Sequence, residues 1–214
     1  MGRLLWAILL VAGVARGSEL RVDVVDQSGR PVADAVVSAQ GLGVAAPGTP
    51  ARAARTQVID QVDLQFDPYI ALFRPGDRVA FHNSDATRHH VYSFSESKSF
   101  EFVLAPGQQS SPLVLDNSGV VAVGCNIHDS MISYLFVSNA PFITTTDGKG
   151  KAVLAGLSPG SYTVRVWQPR LRPGTADPVQ SVVIPDDGSP PQARFRLRLL
   201  PDTRHPIHLK HTRY

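Results

Sequence analysis

The sequence predicts an all-β chain, a Greek-key β-sandwich inserted into a second, discontinuous β-sandwich. Three observations carry that expectation. Short apolar runs of four to eight residues recur along the chain, separated by Gly- and Pro-containing turns. No internal stretch sustains the 3.6-residue apolar period of a soluble helix. The runs at the two ends of the chain are each too small to fold alone, yet together they reach roughly 80 residues, about the size at which a sandwich becomes stable.

The elements follow in order. "MGRLLWAILLVAGVARG" places Arg3 before an apolar run from Leu4 to Val14, then small residues Ala15 and Gly17. That is the three-part pattern of a secretory leader over residues 1–17, with cleavage after Gly17. The run is too short for a membrane anchor, which needs roughly 20 apolar residues, and no other segment is long enough to span. The expected product is secreted or periplasmic. "ELRVDVVDQSGRPVADAVVSAQ" reads as strand, turn, strand, and residues 41–56, small and without period, as a linker. From Gln57, "QVIDQVDLQFDPYIALFRPGDRVAFHNSD" reads as three short strands and "HHVYSFS" as a fourth. "KSFEFVLAPGQQSSPLVLDNSGVVAVGC" supplies three more, and "ISYLFV" closes the inserted set at residue 138. Over residues 139–200, strands flank the "SPG" turn, an aromatic strand carries Tyr162 and Trp167, and "VQSVVIPDDGSPPQARFRLRL" reads as a final hairpin. Residues 201–214 read as a solvated tail, with His205, His208 and His211 among basic residues.

Residues 18–56 and 139–200 resemble the two halves of a carboxypeptidase-regulatory-like, or transthyretin-like, β-sandwich module. The resemblance rests on Asp26, Gly29, Pro31, Val32, Ala35 and Val37, then Thr146, Asp147, Gly150, Leu157, Pro159, Gly160 and Tyr162. Turn chemistry accounts for most of these positions, and none is assigned a reaction.

The chemistry concentrates in "GCNIHDSM". Cys125 is the only cysteine, so a secreted chain cannot use it for an internal disulfide. His128 and Met131 follow at spacings of three and three. A thiolate, an imidazole and a thioether on one loop, joined by a second imidazole, make the donor set of a type 1 copper site. A single cysteine does not suit structural zinc, a c-type haem, a binuclear copper centre or an iron–sulfur cluster. A Cys-His nucleophile would leave Met131 without a role. The second imidazole has three candidates in "VAFHNSDATRHHVYSF": His82, His89 and His90.

At these residues the chain resembles the cupredoxins of the plastocyanin and amicyanin type, whose upstream histidine follows an F-x-N strand end and whose short loop carries Cys-x-x-His-x-x-Met. "HHVYSFS" with "GCNIHDSM" also resembles a bacterial family often labelled methylamine utilisation proteins. Aligning Phe81-His82-Asn83 on that strand end implies His89 as the ligand. His90 then stands where the family has an asparagine that ties the histidine strand to the cysteine loop, here toward Asn126. Adjacent strand residues face opposite ways, so one of the pair reaches the metal, and His90 remains the alternative to His89. His82 reads as an exposed strand-end residue.

The resemblance implies one type 1 copper ion held by His89, Cys125, His128 and Met131. The implied activity is one-electron transfer between transient redox protein partners, with Ile127 and Ile132 as a docking patch around His128. Two other readings share the composition: a copper carrier or sensor without electron traffic, and a metal-free structural sandwich. No carboxylate pair or Ser/His/Asp constellation stands out, so no enzyme is expected. Nor is nucleic-acid binding: losing Arg3 and Arg16 with the leader leaves 19 basic against 18 acidic residues, and the basic C-terminal run reads as the outer face of a strand.

Overall fold

The structure, a computed structural model, describes residues 18–43 and 52–202. The expected leader, residues 44–51 of the linker, and the tail histidines His205, His208 and His211 lie outside the described residues. Every regular element among the described residues is a strand, so no helix there is long and apolar enough to cross a membrane.

In chain order the strands are β1 (Ser18–Asp26), β2 (Val36–Gly41), β3 (Thr56–Val62), β4 (Gln65–Asp67), β5 (Ile70–Phe73), β6 (Asp77–Asn83), β7 (His89–Ser95) and β8 (Lys98–Leu104). Then come β9 (Leu113–Leu115), β10 (Gly119–Cys125), β11 (Ile132–Val137), β12 (Phe142–Thr145), β13 (Lys151–Leu157), β14 (Gly160–Trp167), β15 (Val179–Ile184) and β16 (Gln192–Leu197). They form four sheets. Two, ordered β13-β1-β16 and β12-β2-β14-β15, use only strands from the two ends. The other two, β4-β3-β6-β9 and β5-β11-β10-β7-β8, use only the strands between.

Each pair of sheets encloses its own core. Leu20, Val22 and Val24 of β1 meet Val37, Tyr162, Val164 and Val166 of the facing sheet in one buried cluster. In the other, Ile59, Val79 and Phe81 meet Val91, Val121, Val123 and Leu135, with Cys125 and Met131 among them. Alternation places these residues: β16 reads exposed-buried throughout, with Ala193, Phe195 and Leu197 inward. A seam joins the two units. Trp167 of β14 packs on Tyr134 and Phe136 of β11, with ring centroids 5.7 and 5.2 Å apart.

Three features depart from the sequence reading. The "QVDLQF" run is broken by a two-residue turn in which Asp63 and Leu64 have φ of 54° and 58°, making two strands where one was expected. Such turns normally announce themselves by Asn-Gly or Asp-Gly, and Asp-Leu gives no such cue. Phe142–Thr145 forms a strand by pairing with β2, which its threonine-rich sequence did not mark. The expected final hairpin is absent. β15 pairs antiparallel with β14, whereas β16 crosses to the opposite sheet and runs parallel to β1. There it supplies the partner that β1 needs on its second edge, which a hairpin with β15 would leave open.

Candidate metal centre

Two neighbouring strands and one loop build the site. Along β7, His89, Val91 and Ser93 face inward while His90 and Tyr92 face outward. Along β10, Val121, Val123 and Cys125 face inward. Cys125 is opposite Val91 in the antiparallel register, and Gly124 is opposite Tyr92. His89 therefore lies on the same inner face as Cys125, one pleat further along. Gly124 lets the Tyr92 ring lie close across the ladder: a Cβ there would sit 2.9 Å from the far end of that ring.

The loop after β10 is closed by its own backbone. The Asn126 amide donates to the His90 carbonyl at 3.0 Å, extending the ladder one residue past the strand. The Met131 amide donates to the His128 carbonyl at 2.9 Å, and the Cys125 amide to the Met131 carbonyl at 3.2 Å. These bonds return the chain to β11 and bring the loop side chains back over Cys125.

The resulting cluster is compact. Cys125 Sγ lies 3.7 Å from His89 Nδ1 and 3.9 Å from His128 Nδ1. The three potential ligand atoms all fall within 4.8 Å of one another. A metal bonded to sulfur at about 2.3 Å and to nitrogen at about 2.05 Å, with 120° between them, sets those atoms roughly 3.8 Å apart. The observed spacings match that edge. His89, Cys125 and Met131 are buried, and His128 is half-buried at the rim beside Ile127, which is 51% exposed. Ile132, the other expected patch residue, is half-buried. Met131 shares the core cluster of Cys125.

The second imidazole nitrogen of His89 is engaged as well. Nε2 lies 2.8 Å from Asp85 Oδ2. A carboxylate oxygen only accepts, so Nε2 carries the hydrogen and Nδ1 presents its lone pair toward Cys125. Asp85 was not singled out in the sequence. Its place comes from Asn83, fully buried, whose Oδ1 accepts the Asp85 amide at 3.0 Å. The Asn83 side-chain amide in turn donates to the carbonyls of Thr87 and Leu104 at 2.8 and 3.0 Å. The only signal available was the F-x-N strand end itself, two residues before the aspartate.

The geometry separates the three upstream histidines. His89 reaches Cys125. His90 points to the other face, its Nε2 2.8 Å from Glu101 and its Nδ1 3.4 Å from the Asn126 side-chain nitrogen. Strand and cysteine loop are thus tied at His90 and Asn126, by the backbone bond above as well as by this contact. His82 is half-buried rather than exposed, with Nδ1 3.0 Å from Asp60 Oδ1 and 3.1 Å from Ser84 Oγ. Burial pushes the Asp60 carboxyl up, but hydrogen bonds from Ser84, His82 and the Gln61 amide outweigh it and hold the group below the ordinary value.

No protein-family model matches the chain, and no curated protein matches it. Solved structures do. The copper-containing nitrite reductase from Thermus scotoductus SA-01 aligns at 20% identity over 47% of this chain and 25% of its own, with a TM-score of 0.38. A mutant of amicyanin in the Cu(I) form aligns at 18% identity over 47% of this chain and 99% of its own, with a TM-score of 0.36. The purple cupredoxin from Nitrosopumilus maritimus aligns at 20% identity over 39% of this chain and 99% of its own, with a TM-score of 0.34. The chain spans about a quarter of the length of the nitrite reductase.

Proposed function

We propose that the chain is a secreted, periplasmic type 1 copper protein of the cupredoxin kind that carries single electrons between redox proteins. In this reading the 1–17 leader is removed. Residues 57–138 are the copper-holding unit, inserted into an outer sandwich of residues 18–56 and 139–200. The observation that carries the proposal is the triangle of Cys125 Sγ and the two Nδ1 atoms of His89 and His128, at 3.7 and 3.9 Å along its sulfur edges.

His89 and His128 would hold the ion through Nδ1 and Cys125 through Sγ. Met131, buried in the same cluster, is the remaining sulfur donor. Bound copper supplies a one-electron couple between Cu(I) and Cu(II). One thiolate with imidazoles suits both states, which favours copper over the hard cations that prefer oxygen. The buried residues around Cys125 exclude water. His128 is the least buried of these residues, and the exposed Ile127 beside it suits a small, transient docking contact. With donors from His89, Cys125, His128 and Met131, no position would be left open to a substrate, which supports a role in passing charge.

The test is the visible and electron paramagnetic resonance spectrum of the purified, copper-loaded protein. An intense thiolate-to-copper charge-transfer band and a reversible one-electron wave are expected. A colourless protein that retains Cu(I) and shows no reversible couple identifies a carrier instead. A protein that takes up no copper sinks both readings.

A further inference from the structure

We propose that Asp85 is a positioning residue for this site: its carboxylate fixes the His89 ring and biases the bound ion toward Cu(II). The inference rests on the copper reading of the same cluster. The contact between Asp85 Oδ2 and His89 Nε2, at 2.8 Å, lies in the range of charge-assisted hydrogen bonds. The carboxylate is itself held in place. The Asp85 amide donates to Asn83 Oδ1 at 3.0 Å, and Oδ2 also accepts the Leu64 amide at 3.2 Å. That amide belongs to the β3–β4 turn, where Leu64, although not a glycine, takes a φ of 58°. The β3–β4 turn thus meets the β6–β7 connection at this carboxylate oxygen, which faces His89 as well.

The surroundings decide how far that charge acts. His89 is fully buried, and the Asp85 side chain is 12% exposed, so water does little to screen the pair. A carboxylate accepting the distal N–H makes the imidazole a stronger donor and fixes which nitrogen faces the metal. A shielded negative charge on one ligand favours the more highly charged ion. With copper bound, the Asp85 charge would stabilise the doubly charged state relative to the singly charged one and so favour passing one electron to an acceptor protein of higher potential. No proton moves in that exchange.

The test compares the wild type with Asp85→Asn and Asp85→Ala. Copper affinities are measured by chelator competition in both oxidation states, and midpoint potentials by voltammetry. Asn retains an acceptor oxygen and loses the charge. The Asn variant is expected to keep the charge-transfer band, to bind Cu(II) about tenfold more weakly and to bind Cu(I) as before. A tenfold selective loss raises the midpoint potential by about 59 mV for one electron. The Ala variant also frees the ring, so its paramagnetic resonance lines are expected to broaden. Should the Ala variant fail to fold, the Asn variant decides alone. An Asn variant with the wild-type potential overturns the bias toward Cu(II). A wild type without the charge-transfer band overturns the type 1 copper reading instead. Nitrogen NMR of the metal-free protein then separates the two: His89 is expected to carry its proton on Nε2, and a proton on Nδ1 overturns the positioning role of Asp85.

Discussion

Positions 89 and 90 carry the same side chain and meet opposite surroundings. One ring is sealed between Cys125 and Asp85, and the other lies outward between Glu101 and Asn126. Substitution should separate them cleanly. His89→Ala is expected to abolish the charge-transfer band, whereas His90→Ala should keep it, as read in the visible spectrum of the copper-loaded variants. Cys125→Ser exchanges sulfur for oxygen at a buried position with little change in shape. It is expected to be folded by circular dichroism and colourless with copper. Legibility differed among these residues for a physical reason. Cys125, His128 and Met131 share one short loop, so their spacing alone brings them near each other. Strand alternation permits only one of the neighbours His89 and His90 to face inward, and it was the resemblance at Phe81-His82-Asn83, not the alternation, that pointed to His89. Asp85 left no cue beyond the F-x-N strand end, since its position depends on the Asn83 side chain and on a turn amide more than twenty residues upstream.

At the level of elements, the turn between β3 and β4 is the least ordinary piece of backbone. A left-handed conformation costs a non-glycine residue about 1–2 kcal/mol, and Leu64, 42% exposed, lies outside the buried core. Leu64→Gly is accordingly expected to raise stability by about 1 kcal/mol in urea unfolding while leaving the copper spectrum unchanged, because the amide facing Asp85 survives the substitution. Strands were legible wherever one face is buried and alternation is strict, as in β7, β10 and β11. They were illegible where pairing depended on a distant edge. β12 owes its conformation to β2, and β16 to the open side of β1. Neither partner can be deduced from the strand's own residues, and for that reason two adjacent strands read as a hairpin that does not form.

At the scale of the molecule, a charged knot ties the two crossings between the units. Asp77, almost fully buried, accepts from the Arg52 guanidinium at 2.6 and 2.7 Å and from the amides of Arg55 and Arg74 at 2.9 Å each. The Arg74 side chain reaches across to the carbonyls of Ala140 and Pro141. Burial pushes the Asp77 carboxyl up, but the two amides and Arg52 outweigh it, so the group ionises below its ordinary value of 3.8. The stability it contributes is therefore present above that value and is lost as pH falls through the lower folded value. Asp77→Asn is expected to cost about 1–3 kcal/mol at pH 7. The gap should narrow below about pH 4, which parallel urea titrations of both proteins would check. Trp167→Ala, which strips the seam, should cost about 1–3 kcal/mol without altering the copper spectrum, and a changed spectrum would contradict the separation of the two cores.

The parallel pairing of β16 with β1 has a temporal side. β1 and β2 do not pair with each other; all their ladder partners, β12, β13, β14 and β16, follow β11 in the chain. A chain emerging from its N-terminus must therefore hold its first two strands in waiting, while β3 to β11 find every partner among themselves. Closing the outer sheets means closing the longest loops in the molecule, the slow kind of contact. The loop that carries Cys125 is therefore expected to be complete before β1 and β2 find their partners, and pulsed hydrogen exchange during refolding should find β10 and β11 protected ahead of β1.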